Sequence, residues 1–200
     1  MINRTTKLFS LLSASALTLT AHAYQALDLN IGDSVGIGYS TNLDQRSFGF
    51  YANGLIGLAH DNNVASPGVR YNILPRNDEA FLDSVFVNLS GVYANIGDYD
   101  ADLFALAFGT GARLKLLDEY SFLEEPLYLS GAINYAPPGL TWDDGENFQS
   151  WALRLEYPVF EKSLAYVGWR QITADISNDG EKHPAAGIDK TLFIGIHYVF

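Results

Sequence analysis

Cysteine is absent from these 200 residues, methionine occurs once, at position 1, and cations are few: 12 Lys and Arg stand against 23 Asp and Glu. The missing cysteine excludes a disulfide scaffold and thiolate chemistry. It suits a chain that crosses an oxidising periplasm unfolded and must not become cross-linked on the way. The scarcity of cations gives a formal charge of −11 and leaves no basic footprint, so nucleic acid is not an expected partner. Also missing is any apolar run near the roughly eighteen residues that a membrane-crossing helix needs. Yet 48% of the chain is hydrophobic and 14% aromatic, and that apolar content has to be placed by some other architecture.

The N-terminal stretch has the parts of a secretory leader. Arg4 and Lys7 form a basic start, Leu8 to Leu19 a short apolar core, and Ala21-His22-Ala23 a small-residue cleavage site. Residues 1–23 are therefore expected to be removed, leaving about 177 residues from position 24 to 200 as one domain with no linker. Loss of Arg4 and Lys7 moves the formal charge from −11 to −13.

From there the chain alternates. Leu192, Ile194, Ile196, Tyr198 and Phe200 share one face of the last segment, with Thr191, Phe193, Gly195, His197 and Val199 on the other. Nine earlier segments repeat the pattern: Leu27 to Ile31, Val35 to Tyr39, Phe48 to Leu58, Val69 to Ile73, Val85 to Tyr93, Phe104 to Leu116, Leu129 to Tyr135, Trp151 to Val159, and Val167 to Trp169. The second face carries Gly, Ala, Ser and Asn with an occasional Arg. A soluble sandwich or lipocalin-like barrel also alternates, but it buries its bulky face and dresses the other with Lys, Glu and Asp. Here the small-residue face suits a narrow interior and the bulky face suits lipid. The reading is an all-β protein, a single antiparallel transmembrane β-barrel of ten strands, or eight if short segments merge. A closing strand that is apolar at alternate positions up to Phe200 resembles the signal that marks bacterial outer-membrane barrels for insertion. The expected location is the outer membrane of a Gram-negative bacterium. The expected partners are membrane lipid, lipopolysaccharide and, through the last strand, the barrel-assembly machinery.

Loop lengths orient the barrel. Pro137 to Asn147 and Ser177 to Ile188 read as long outer loops, and Glu161-Lys162-Ser163 as a short periplasmic turn. Tyr39, Phe48, Tyr157, Tyr198 and Phe200 then fall at the periplasmic rim, and Tyr93, Tyr135 and Trp151 at the outer rim, as two interfacial girdles. Alternation points Arg70, Arg113, Lys115, Arg154, Glu156, Arg170 and His197 inward. Glu156 is the one acid in that set, so Arg154 or Arg170 is its expected neighbour. The set reads as an ion-pair plug, with a constriction selecting small anions as the alternative. His60-Asp61, Asp143-Asp144 and Asp179 to His183 are the acids and histidines of the outer connections. None has the spacing of a calcium or zinc site, so no metal, cofactor or catalytic residue is expected, and a rim hydrolase is the remote alternative.

Several stretches, taken in order, resemble the YfaZ family of outer-membrane proteins. They are Asp33-Ser34-Val35 running to Gly38-Tyr39-Ser40-Thr41, Tyr135-Ala136-Pro137, Leu153-Arg154-Leu155-Glu156-Tyr157, and Tyr166-Val167-Gly168-Trp169-Arg170 with Ala174-Asp175. The likeness covers nearly all of the chain after the leader, is strongest from Leu129 to Asp175, and departs over Pro138 to Asn147. It implies a small outer-membrane barrel, sometimes labelled a porin, with no established reaction.

Overall fold

A computed structural model describes residues 24–42, 48–58, 61–74, 81–117, 125–178 and 181–200; the expected leader, 1–23, lies outside them. The described chain is built of strands: β1 Tyr24–Ile31, β2 Ser34–Asn42, β3 Phe48–Gly57, β4 Asn62–Leu74, β5 Leu82–Ile96, β6 Ala101–Leu117, β7 Leu127–Ala136, β8 Thr141–Asp143, β9 Gly145–Phe160, β10 Ser163–Asn178 and β11 Glu181–Val199. A single 3-10 turn, Gly97–Tyr99, joins β5 to β6.

Ten of these strands form a closed antiparallel ring. Neighbours run β5-β4-β3-β2-β1-β11-β10-β9-β7-β6, and β6 pairs back onto β5. The seam joins the two ends of the chain, from Ala26 opposite Val199 to Ile31 opposite Ile194. β8 adds three residues alongside Leu103 to Ala105 of β6. Closure gives each of the ten strands a neighbour on both sides, which is how a barrel satisfies its backbone in a bilayer without helices; β11 runs on beyond the seam, paired there with β10 alone.

The bulky face is outside. On β11, Ile194 is 61% exposed while Phe193 beside it is 2% exposed. The same inversion holds at Leu29, Ile37, Phe50, Phe104, Phe108, Leu153, Leu155 and Val167, all apolar and all exposed. A soluble barrel would place these residues against one another, and here they ring the outside.

Two features differ from the expected pattern. The stretch Ser177 to Ile188, expected as a long outer loop, is mostly strand: β10 continues to Asn178 and β11 starts at Glu181. Its polar, proline-bearing composition is accommodated by shifts in register near Ile172 and between Ala174 and Ile176. Pro184 falls in the second of these, where a missing ladder donor is tolerated, and the Asp175 carboxylate accepts from the Ala185 backbone N–H at 2.7 Å. With 16 and 19 residues, β10 and β11 exceed the roughly ten needed to span, so this hairpin stands beyond the apolar band. Within the other expected loop, 137–147, β8 forms and Gly145 already opens β9.

The second difference lies inside. The interior charges gather towards the end that carries both termini. At the opposite end Val64, Val92, Ile96, Leu103, Phe148, Ile172, Ile176 and Ile188 form a buried apolar cluster filled out by alanines. Such a cluster is an ordinary hydrophobic core, placed inside the ring where the expected inward face carries Gly, Ala, Ser and Asn with an occasional Arg.

Candidate functional site

Below the apolar cluster, four arginines project into the barrel, and three of them meet carboxylates. Arg113 of β6 donates from Nε to Glu156 at 2.8 Å and from Nη1 to Asp83 at 3.1 Å, with its guanidinium 3.6 Å from the centre of the Tyr128 ring. The Ser130 hydroxyl donates to the other oxygen of Glu156. Arg154 of β9 reaches across to Asp28 of β1 at 2.9 Å. Asp28 also accepts from the Tyr166 hydroxyl at 2.6 Å, and His197 Nδ1 lies 3.5 Å from it. Arg170 of β10 binds Asp189 through Nε, Asn30 at 2.9 Å through Nη1, and Ser34 at 2.7 Å through Nη2. Asn30 in turn donates to Asp28 at 3.2 Å, which links the last two clusters.

Buried charges of this kind are tolerable only when each is paired and its remaining protons are bonded. The chain meets the first condition with partners on neighbouring strands and on strands two or three places round the ring, as in Arg113–Glu156 and Arg154–Asp28; the second is met only in part, because Nη2 of Arg113 is buried without a partner.

The inward set expected from the sequence is therefore inside, but its pairing is different. Glu156 pairs with Arg113, not with Arg154 or Arg170. The register explains this: Arg113, Ser130 and Arg154 lie in one row across β6, β7 and β9. Glu156 sits one inward step along β9, within diagonal reach of Arg113, while Arg154 turns to Asp28. Lys115 shares the inner face of β6 with Arg113. Three acids were missed. Asp28 was legible, since it alternates with Leu27 and Leu29. Asp83 and Asp189 sit at register irregularities, between Leu82 and Ser84 and beside Ile172 and Thr173. A bulge turns two successive residues towards one face, so strict period-two counting misplaces Asp83; Asp189 keeps the phase of Thr191 and Phe193 and was missed because the stretch just before it was read as loop.

Glycine makes room for the bonded tyrosine. A Cβ at Gly195 would strike the Leu29 carbonyl oxygen and the Tyr166 hydroxyl. Gly195→Ala is expected to lower stability by about 1–3 kcal/mol, as for other overpacked sites, measured as an earlier urea midpoint for the barrel refolded into lipid vesicles. An unchanged midpoint would remove the close-approach account.

The aromatic residues expected in the girdles sit on the outer face, mostly near strand ends. Tyr39 and Tyr198 flank Leu27 in one row across β2, β1 and β11, and Tyr198 stacks with Phe200 at 6.0 Å. Tyr157 is opposite Ala165 on β10. At the other end the Tyr93 and Phe104 rings are 4.8 Å apart, and Trp142 of β8 is opposite Phe104; Trp142 was not in the expected girdle because it was read as loop. Tyr135 is 46% exposed. Trp151 walls a shallow outward groove over Thr110, Ala112 and Gly131.

The described groups of the acidic connections bond to near neighbours. The Asp144 carboxylate accepts from the Asp102 backbone N–H at 3.1 Å, Lys182 binds Glu146 at 2.6 Å, and the His183 ring lies against Tyr99. His60, Asp179 and Gly180 lie outside the described residues. Among the described residues no group of three or more His, Asp or Glu is placed to hold a metal ion.

A closed ring of ten antiparallel strands, apolar outside and charged within, defines the fold as a transmembrane β-barrel. Comparison with known proteins adds distant likenesses. No family model and no curated protein matches the chain. Among solved structures it is similar to the KdgM porin, at 10% identity and a TM-score of 0.38 over 88% of this chain and 99% of that one. It is also similar to OmpT, an outer-membrane protein of Vibrio cholerae, at 12% identity and a TM-score of 0.36 over 84% of this chain and 56% of that one. A second structure of OmpT, folded in vitro, gives 11% identity and a TM-score of 0.37 over 91% and 62%. The chain thus spans less than two thirds of either OmpT structure. The barrel assignment rests on the strand pairing itself.

Proposed function

We propose that the protein is a non-enzymatic outer-membrane barrel of the YfaZ type whose interior is closed, and whose role is structural or lies in interactions of its outer hairpins. The observation that carries this reading is the stacking of two kinds of filling. An apolar cluster from Val64 to Ile188 occupies one end of the interior, and ion pairs centred on Arg113, Arg154 and Arg170 cross the other. A ten-strand ring has little free bore once side chains of this size occupy it. The exposed apolar band supports a bilayer setting, with lipid and lipopolysaccharide as its surroundings. Tyr39, Tyr93, Tyr135, Trp151, Tyr157, Tyr198 and Phe200 would serve as interfacial anchors.

The test is planar-bilayer recording. The purified barrel is expected to be electrically silent, while Arg113→Ala with Arg154→Ala is expected to open a leak. Steady unit conductance from the unaltered protein would favour the second reading, a narrow pore for small anions, which gains support from the interior cations Arg70, Arg113, Lys115, Arg154 and Arg170. A hydrolase at the outer rim would need Asp143 and Asp144; activity on lipid or peptide substrates abolished by Asp143→Asn with Asp144→Asn would replace both readings.

A further inference from the structure

The fourth interior arginine is different from the other three. The interior carboxylates of Asp28, Asp83, Glu156 and Asp189 are all engaged by Arg113, Arg154 or Arg170. Arg70 of β4 has no carboxylate and no hydrogen-bond acceptor among the described residues, and its Nε is buried without a partner. What holds it is a socket of rings: its guanidinium lies 4.1 Å from the centre of the Phe86 ring and 5.5 Å from that of Tyr51.

The socket is built by the residues around it. A Cβ at Gly111 would enter the Phe86 ring, and one at Gly68 would come within 2.7 Å of the Tyr51 hydroxyl. Glycine at both places lets the two aromatic side chains lie along the wall. Asn88 donates to the Tyr51 hydroxyl at 2.8 Å and to Asn134 at 2.7 Å. Asn134 donates on to Ser150 at 3.1 Å. The ring is thus fixed before any ligand arrives. Rings covering a guanidinium satisfy its π surface and contribute attraction, but they accept none of its edge N–H protons. Those edges are where a planar oxyanion binds, two parallel bonds at a time.

We propose that Arg70 is the binding residue of a site for a small carboxylate or similar oxyanion, taken edge-on inside the barrel. Arg70 lies four residues from the end of β4 at Leu74. That is the end carrying the chain termini, remote from the apolar cluster, so the anion enters there. The site goes beyond the closed-barrel reading and is independent of whether the lumen conducts.

The test uses the refolded full barrel in zwitterionic detergent and acetate as the probe, read by saturation transfer from protein to the acetate methyl group. The expected result is a saturable signal, weakened about tenfold or more in Arg70→Met and by less in Arg70→Lys, which keeps the charge without the fork. Gel mobility of the folded form shows that each variant is native. No saturable signal from the unaltered barrel, or an equal signal from Arg70→Met, would overturn the proposal. So would Arg70→Lys binding as tightly as the parent, because the edge geometry would then be irrelevant. Should Arg70→Met fail to fold, Arg70→Lys alone decides.

Discussion

Arg113→Met is expected to destabilise the folded barrel by about 3–5 kcal/mol, the cost of stranding buried carboxylates whose partner is removed. Asp83 has no exposed side-chain surface, and the side chains of Glu156 and Arg113 are each 11% exposed. Solvent therefore cannot take over the role of the guanidinium. Methionine keeps most of the volume against Tyr128 and removes only the charge and its donors. The measurement is urea unfolding in lipid vesicles followed by tryptophan fluorescence. Adding Asp83→Asn and Glu156→Gln to Arg113→Met is expected to recover most of the loss, since the penalty belongs to buried carboxylates that have lost a guanidinium and not to the absent arginine. Arg70→Met is the contrasting case. No carboxylate is stranded there, and the loss of cation–π attraction is offset by relief of an unpaired charge, so stability is expected to move by about 1 kcal/mol or less. Equal losses at Arg113 and Arg70 would show that the interior arginines act as space-fillers.

The contrast between these arginines also marks how far sequence reading reaches. Ten segments were visible because period two is a strong signal wherever one face meets an apolar surroundings and the other does not. The residues on those faces were visible with them, including Arg113, Arg154, Glu156 and Arg170. Which charge meets which was not. Arg154 pairs with Asp28 from 126 positions away, a relation fixed by ring closure between β1 and β11 and by nothing local. Asp83 escaped because a bulge breaks the alternation there, and Asp189, in phase with Thr191 and Phe193, because it borders the stretch read as loop. The apolar inner cluster escaped for a related reason. Val92, Ala94, Ile96, Ile172 and Ile176 continue the inward faces of β5 and β10 beyond the polar positions, while the outward positions there turn polar, as at Asn95, Gln171, Thr173 and Asp175, so the alternation inverts along one strand and its apolar side no longer marks the lipid side. The hairpin over Ser177 to Ile188 read as loop because Pro184 and its polar neighbours look like turn chemistry, whereas in the fold they occupy a bulged strand.

Leu153→Arg tests whether the bulky face meets hydrocarbon. Leu153 lies midway along β9, 46% exposed, opposite Trp169 on β10 and Gly131 on β7. In a bilayer an arginine near the midplane of a lipid-facing strand costs about 2–4 kcal/mol, and the cost falls to about 0–1 near the interfaces. Phe160→Arg, at the end of the same strand and 78% exposed, supplies the shallow comparison. The expected outcome in lipid vesicles is a loss of that larger size for Leu153→Arg and little change for Phe160→Arg. Depth dependence is the informative part, because a general intolerance of arginine would penalise both positions alike. In water the expectation reverses. A charge on an exposed apolar patch of a soluble barrel removes unfavourable contact with solvent, so Leu153→Arg would leave the fold intact and raise solubility. A Leu153→Arg variant that stayed dissolved and folded without detergent would leave Phe104, Leu153 and Ile194 exposed to no lipid at all, and the membrane assignment would fall with it.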